Sequence, residues 1–166
     1  MLKLLGSILI LASCTGIGIS KSQEMQGHLE ALEEIKKLFY LLRSELQYTR
    51  APFAEVFQKI AGKIETPIDD WLTNMALNLN QKANKSFWEI WCTSITEHLM
   101  KSRLHEEDLE ELKQVGKNLE YTENLDLYIE QLEYKIKHTR ENYRTKRKLC
   151  QSMGIMGGIF LVILLL

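Results

Sequence analysis

Histidine and cysteine side chains are the groups in this sequence best suited to metal binding or nucleophilic catalysis. They are scattered along the chain at seven positions: His28, His98, His105, His138, Cys14, Cys92 and Cys150. Their spacing matches neither an HExxH motif nor a CxxC metal pair, and three widely spaced cysteines build no disulfide framework. We therefore expect solvated histidines, a buried structural thiol at Cys92 and no bound metal.

Phosphate-binding motifs are also missing from the sequence. It contains neither a Walker loop nor the glycine fingerprint of dinucleotide-binding proteins. We therefore predict that the protein is not an enzyme and needs no cofactor. The acidic run from Glu106 to Glu111 is typical of a solvated helix start, and a docking face for a basic partner is the alternative.

The charge of the chain is divided between two regions. Residues 21–134 carry 13 Lys or Arg and 21 Asp or Glu, a net charge of −8. Residues 135–148 carry seven basic residues and only Glu141, a net charge of +6, directly before an apolar terminal segment. This placement indicates contact with membrane lipids rather than with nucleic acid, because nucleic-acid-binding domains spread basic groups over a whole face. The last four cations of this basic block are Arg144, Lys146, Arg147 and Lys148.

The N-terminal end of the chain is strongly apolar. Residues 4–19 contain no charged residue, and at about 1.5 Å per residue a helix of this length approaches the roughly 30 Å hydrocarbon core of a membrane. We therefore expect a transmembrane anchor over residues 1–20. A cleaved signal is one alternative, and the sequence Leu11-Ala12-Ser13-Cys14 makes a lipoprotein signal another.

The C-terminal segment, residues 149–166, is apolar all round a helix from Met153 onward. A buried core helix would keep a polar face, so we predict a second transmembrane helix. The basic block before it favours the cytoplasmic side, which places the middle of the chain in the cytosol and both termini outward. Small residues four positions apart are expected to let these membrane helices pack closely, within one chain or between copies. They are Ala12 with Gly16, and Gly154 with Gly158.

Apolar residues recur at three- and four-residue steps through the middle of the chain, which is typical of amphipathic helices. The first such stripe runs from Glu24 to Tyr48, and the last helix is expected to continue unbroken through the basic block. Each of the five helices after the first has its own start signal. These signals are Pro52, Thr66-Pro67, the capping box of Ser86 and Glu89, His105, and the region of Glu123.

We therefore predict an all-α protein. Its cytosolic part, residues 21–148, is expected to be a compact bundle of about six helices between the two terminal transmembrane helices, residues 1–20 and 149–166. Three tryptophans at helical positions are expected in the core of this bundle: Trp71, Trp88 and Trp91.

Four segments, in order along nearly the whole chain, form a recognisable pattern. They are MLKLLGSILILAS, LFYLLRSELQYTRAPFAEVFQKIA, EEDLEELKQVGKNLE and MGIMGGIFLVILLL. The most specific pieces are the sequence from Glu45 to Tyr48, ahead of Pro52, and the glycines of the tail, Gly154, Gly157 and Gly158. Together these segments resemble the stage III sporulation protein AB family of endospore-forming bacteria.

The resemblance implies a role that the residues alone do not show. Members of this family look like membrane-platform components of a secretion-like channel complex between the mother cell and the forespore. Their cytosolic domain is similar to the helical F-domain of the type II secretion platform. The resemblance thus implies a place in the mother-cell membrane around the forespore, among other membrane proteins of the channel. It also implies docking of a cytosolic secretion ATPase, which would supply the nucleotide chemistry.

We expect that ATPase to dock near the end of the first long helix, on Arg43, Glu45 and Tyr48. The alternative is that Arg43 and Glu45 are solvated and that Tyr48 packs half-buried. On the sequence alone, we expect Glu45→Lys to leave the melting temperature almost unchanged and to weaken ATPase capture. A rival of a different class is an exported lipoprotein, lipidated at Cys14, with a helical interaction domain at the cell surface. Homo-oligomerisation stays open.

Overall fold

A computed structural model of the chain consists of helices and short connections. It describes the backbone of residues 2–49, 51–81, 85–117, 119 and 122–165. Side chains are described for residues 22–49, 51–81, 85–117, 119, 124–146, 148–149 and 156. Over the described backbone no strand is found, which confirms the all-α prediction. The six helices of this backbone are α1 Leu2–Tyr48, α2 Phe53–Ala61, α3 Ile68–Asn80, α4 Phe87–Leu99, α5 Glu106–Gly116 and α6 Thr122–Leu165.

The chain divides into two compact units. The terminal unit consists of Met1–Leu29 and Lys137–Leu166, and the central domain consists of Glu30–Ile136. Helices α1 and α6 each contribute residues to both units. The predicted boundaries of the cytosolic part, at residues 21 and 148, depend on where the membrane segments end and stay predictions.

Breakers and caps set the starts of the central helices. Pro52 is the N-cap of α2, where its missing N–H group costs nothing. The predicted capping box of α4 is confirmed, because the Glu89 N–H donates to Ser86 Oγ at 3.2 Å and the Ser86 N–H donates to Glu89 Oε2 at 2.8 Å. At the start of α5, the His105 N–H donates to Asp108 Oδ2 at 2.8 Å. Local sequence therefore decides where these helices begin.

Two helices end earlier than their apolar stripes predict. Helix α2 ends at Ala61, and Ile64 is buried in the turn that follows. The Ile64 N–H donates to the Ala61 carbonyl at 3.1 Å. Helix α5 ends at Gly116, and Leu119 is buried beyond it. Glycine weakens a helix because it loses more backbone freedom than other residues, and Gly62 and Gly116 lie at these two ends. An apolar stripe therefore reports burial rather than helix length.

Two tryptophans occupy the centre of the central domain. Trp71 and Trp91 are fully buried, and their rings meet edge to face with centroids 4.9 Å apart. The indole N–H of Trp71 donates to Ser94 Oγ at 2.9 Å, and that of Trp91 donates to the Leu112 carbonyl at 3.0 Å. Both polar atoms of these large apolar rings are thus satisfied, which lets the rings be buried without a desolvation cost. The core prediction is confirmed for these two, whereas Trp88 is only half-buried.

The end of α5 lies directly against this tryptophan pair. A Cβ atom at Gly116 would overlap the indole ring of Trp91, whereas a Cβ atom at Gly62 would meet nothing within 4 Å. Position 116 therefore needs glycine for close packing. Gly62 carries no such requirement.

Helices α1 and α6 complete the core of the central domain. The rings of Phe39 and Tyr128 meet edge to face with centroids 4.7 Å apart. The buried apolar residues of α1 recur at three- and four-residue steps as predicted: Leu32, Ile35, Leu38, Phe39 and Leu42. The same spacing is found in α6: Leu125, Ile129, Leu132 and Ile136. These stripes bury one face of each helix and leave the opposite face to solvent.

Among the residues that the structure describes, no helix combines the length and apolarity needed to cross a membrane. The predicted membrane segments, residues 1–20 and 149–166, fall almost entirely on positions whose side chains lie outside that description. The two transmembrane helices therefore stay predictions. Helix α1 begins at Leu2 and α6 continues to Leu165, so the predicted unbroken last helix is confirmed.

Candidate interaction site

The predicted docking residues lie where α1 ends and the chain turns into α2. Thr49 closes α1, because its N–H and its hydroxyl both donate to the Glu45 carbonyl, at 2.8 and 2.7 Å. Pro52 then starts α2. We call the residues around this bend the α1–α2 corner: Arg43, Glu45, Tyr48, Pro52 and Phe53. The corner belongs wholly to the central domain.

Glu45 ties the two helices of the corner together. Its Oε2 accepts a hydrogen bond from Lys59 Nζ on α2 at 2.6 Å, and its Oε1 lies 4.0 Å from Lys63 Nζ. The Glu45 side chain is 14% exposed, so this carboxylate is largely removed from water. A largely buried carboxylate next to two cations links α1 to α2 and to the turn that follows it. The alternative in which Glu45 is solvated is therefore wrong.

Arg43 makes an ion pair on the other side of α1. Its Nη1 donates to Asp126 Oδ1 on α6 at 2.7 Å, and its guanidinium carbon lies 5.1 Å from the ring centroid of Tyr40. The hydrogen bond to Asp126 raises the pKa of the Arg43 guanidinium. Arg43 thus pairs with α6 at the surface of the domain, where its side chain stays 34% exposed and is still partly solvated.

Tyr48 differs from both charged residues. Its side chain is 85% exposed, although the alternative drawn from the sequence has it half-buried in packing. An aromatic ring held out from the last turn of a helix offers a large contact area at low entropic cost. Of the three predicted docking residues, Tyr48 is the most exposed, while Arg43 and Glu45 are paired with Asp126 and Lys59.

Two phenylalanines extend the corner and were not predicted as site residues. Phe53 and Phe87 are each half-buried, with ring centroids 5.2 Å apart, and they begin α2 and α4. Each follows a helix-start residue, Pro52 or Ser86. An aromatic residue directly after a cap is the sequence signal that could have identified them, because the first turn of a helix lies at the edge of the bundle.

A second exposed surface, the ridge of α6 formed by Leu127 and Tyr134, was not predicted from the sequence. Leu127 is 56% and Tyr134 is 73% exposed on α6, one on each side of Glu130 along the helix. Beside them the Tyr40 hydroxyl of α1 donates to Glu133 Oε1 at 2.7 Å, and this hydrogen bond raises the pKa of the Tyr40 phenol. The ridge offers a comparison surface of similar chemistry away from the corner.

Buried charges in the central domain serve its architecture. Lys135 Nζ of α6 donates to Asp108 Oδ1 at 2.6 Å and to Glu111 Oε2 at 2.8 Å. Burial lowers the pKa of the Lys135 ammonium, but the hydrogen bonds to Asp108 and Glu111 outweigh it and raise that pKa. Asp108 is buried, which corrects the expectation that the whole acidic run is solvated. The shallow depression lined partly by Asp108 and Tyr128 has no room for a water molecule.

The histidines and Cys92 depart partly from the expectation. His28 is buried, which corrects the prediction of a solvated side chain, and His98 is half-buried. His105 and His138 are exposed as predicted. Cys92 is half-buried rather than fully buried, and burial raises the pKa of its thiol, so less of the nucleophilic thiolate is present.

The predicted membrane residues are only partly described. Arg144, Lys146 and Lys148 are exposed on α6 within the terminal unit. The side chains of the remaining predicted residues lie outside the description: Arg147, Ala12, Gly16, Gly154 and Gly158.

Comparison with known proteins identifies one family. The family model described as stage III sporulation protein AB matches residues 3–166. A solved structure titled stage III sporulation protein AB (SpoIIIAB) has a similar fold, with a TM-score of 0.65 and 18% sequence identity. The match covers 71% of this chain and 97% of that one. No curated protein sequence matches the chain. At 18% identity the structural likeness shows the fold alone.

Proposed function

Because the chain belongs to the stage III sporulation protein AB family, we propose that it is a non-enzymatic component of the membrane platform of a sporulation channel complex. The channel joins the mother cell and the forespore. The terminal segments anchor the protein in the mother-cell membrane around the forespore. The central domain lies in the cytosol and docks the secretion-type ATPase of the same complex at the α1–α2 corner.

The observation that carries the docking proposal is the exposure of Tyr48 on a corner whose charged residues are already paired. Tyr48 is 85% exposed, while Glu45 bonds to Lys59 at 2.6 Å and Arg43 bonds to Asp126 at 2.7 Å. Binding hot spots are enriched in tyrosine, and a contact residue on a rigid support loses less entropy when it binds. The corner therefore combines an exposed aromatic anchor with helices held in place.

Three observations support the rest of the proposal. The ends of the sequence are apolar over 4–19 and from Met153 onward, as membrane anchors require. The basic block before the second apolar segment favours a cytosolic central domain. The buried polar groups described in the central domain are engaged in packing and ion pairs, which supports a binding role over catalysis. Other membrane proteins of the channel are the proposed partners of the apolar ends.

Capture of the ATPase tests the docking proposal directly. The full chain, purified in detergent and immobilised, is incubated with the ATPase of the same sporulation complex. We expect Tyr48→Ala to weaken capture by about tenfold or more, as is typical for the loss of an aromatic anchor. Tyr134→Ala is the matched control, because Tyr134 is 73% exposed on α6 and lies outside the corner.

The comparison of these two variants decides the docking face. Equal capture by Tyr48→Ala and by the unmodified chain, with unchanged helical content, would exclude the corner. If Tyr134→Ala alone weakened capture, the ridge of α6 would be the docking face instead. If the unmodified chain captured no ATPase, the docking role would be wrong.

A further inference from the structure

Within the terminal unit, one hydrogen bond fixes the rotation of α6. The Ser22 hydroxyl of α1 and the Tyr143 hydroxyl of α6 are 3.0 Å apart and partly buried. Thr139, one turn earlier on α6, is half-buried as well. The side of α6 that carries Thr139 and Tyr143 therefore faces α1, and the remaining sides face outward.

Four exposed cations share one outward side of α6. At about 3.6 residues per turn, they fall within an arc of about 80° and cover about 16 Å along the helix. We call them the basic stripe: Lys137, Arg140, Arg144 and Lys148. Glu141 is an exposed anion at the edge of this arc, and Lys146 is exposed on the roughly opposite side of the helix. Four of the five cations described between Lys137 and Lys148 therefore lie on one side of α6.

The sequence after the stripe indicates which anion it meets. Helix α6 continues beyond Lys148, and the residues that follow, from Met153 onward, are uninterruptedly apolar. If that apolar part enters a bilayer, Lys148 lies close to the headgroups and Arg144 only about 6 Å further along the axis. Arg144 is thus within the screening length of about 8 Å at physiological salt, whereas Arg140, about 12 Å from Lys148, and Lys137, about 16 Å from it, are beyond it.

We propose that the two cations of the basic stripe nearest the apolar segment, Arg144 and Lys148, bind the phosphate headgroups of anionic membrane lipids on one side of the helix. The proposal rests on the membrane placement in the proposed function and deepens it. Only some of the predicted membrane-surface cations belong to this lipid site: Arg144 and Lys148 are part of it, and Lys146 is not.

A pair of matched lysine variants tests the one-sided site. The full chain is reconstituted into phosphatidylcholine vesicles that contain spin-labelled phosphatidylglycerol or spin-labelled phosphatidylcholine. Electron spin resonance then measures the relative association of each lipid with the protein. Lys148→Gln and Lys146→Gln remove the same charge from exposed positions two residues apart. We expect Lys148→Gln to lower the preference for phosphatidylglycerol by about twofold to fivefold, and Lys146→Gln to leave it nearly unchanged.

Each other outcome overturns the proposal at a distinct point. Equal loss in both variants would mean that net charge, not the stripe, attracts the lipid. A chain that enters vesicles but shows no preference for phosphatidylglycerol would refute the lipid site and leave the membrane placement intact. A chain that stays outside the vesicles would refute the membrane placement and the lipid site together. Loss of binding to a short RNA in Lys148→Gln, with unchanged lipid preference, would assign the stripe to nucleic acid.

Discussion

The central domain and the terminal unit carry opposite charges. Residues 30–136 contain 13 Lys or Arg and 20 Asp or Glu, a net charge of −7, and the remaining residues carry +6. In the central domain, cations such as Lys59 and Lys135 are held by carboxylates of neighbouring helices. In the terminal unit, Arg144 and Lys148 are exposed on α6. Basic residues thus link helices through ion pairs in the central domain, and they are exposed to solvent in the terminal unit.

This difference indicates a division of tasks. A nearly neutral chain with two oppositely charged regions can meet two kinds of partner, because each region repels what the other attracts. An acidic domain is poorly suited to an anionic lipid surface, whereas a basic helix next to an apolar segment suits it well. The central domain is therefore the region from which we expect protein contacts, and the terminal unit the region from which we expect lipid contacts.

The largest expected effect tests whether the central domain depends on close packing. We expect Gly116→Ala to destabilise the protein by about 1–3 kcal/mol, because the added Cβ would overlap the Trp91 ring in a filled core. Thermal and denaturant unfolding of the full chain, followed by circular dichroism, would measure this. Gly62→Ala is the matched control, since its Cβ would meet nothing within 4 Å. Equal stability of the two variants would mean that the side chains around Trp91 can shift to make room for the added methyl group at little cost in free energy.

A smaller effect is expected at the ion pair of the α1–α2 corner. Glu45→Lys places a third cation beside Lys59 and Lys63, so we expect a loss of about 1 kcal/mol that shrinks in high salt. This replaces the sequence-based expectation of an almost unchanged melting temperature. Adding Lys59→Glu restores opposite charges and should recover part of the loss. An unchanged melting temperature in Glu45→Lys, at low and high salt, would show that the pair contributes nothing.

The helices could be predicted because their signals are local. The capping box of Ser86 and Glu89 and the proline at Pro52 act within one turn, so the sequence shows them directly. The core tryptophans Trp71 and Trp91 were predictable from helical spacing. The ends of α2 and α5 were not, because Ile64 and Leu119 are buried from turns and continue an apolar stripe without continuing the helix.

The candidate site was predictable only in part, since its contacts join residues far apart in the sequence. Arg43 bonds to Asp126, 83 positions away, and no spacing rule connects them. Asp108 is likewise buried and pairs with Lys135 on another helix, which no local signal shows. The exposure of Tyr48 could not be read from its place beside an apolar stripe, because a flanking residue is buried or exposed according to the helix that packs next to it.

Protease protection tests whether a membrane-anchored protein holds the central domain in the cytosol. Protoplasts of sporulating cells are treated with protease, and an antibody to residues 30–136 reports whether the domain survives. We expect the domain to stay intact until the membrane is permeabilised, and then to be digested. Digestion in intact protoplasts would show that the central domain lies outside the cytosol, and it is the result that an exported lipoprotein, lipidated at Cys14, would give.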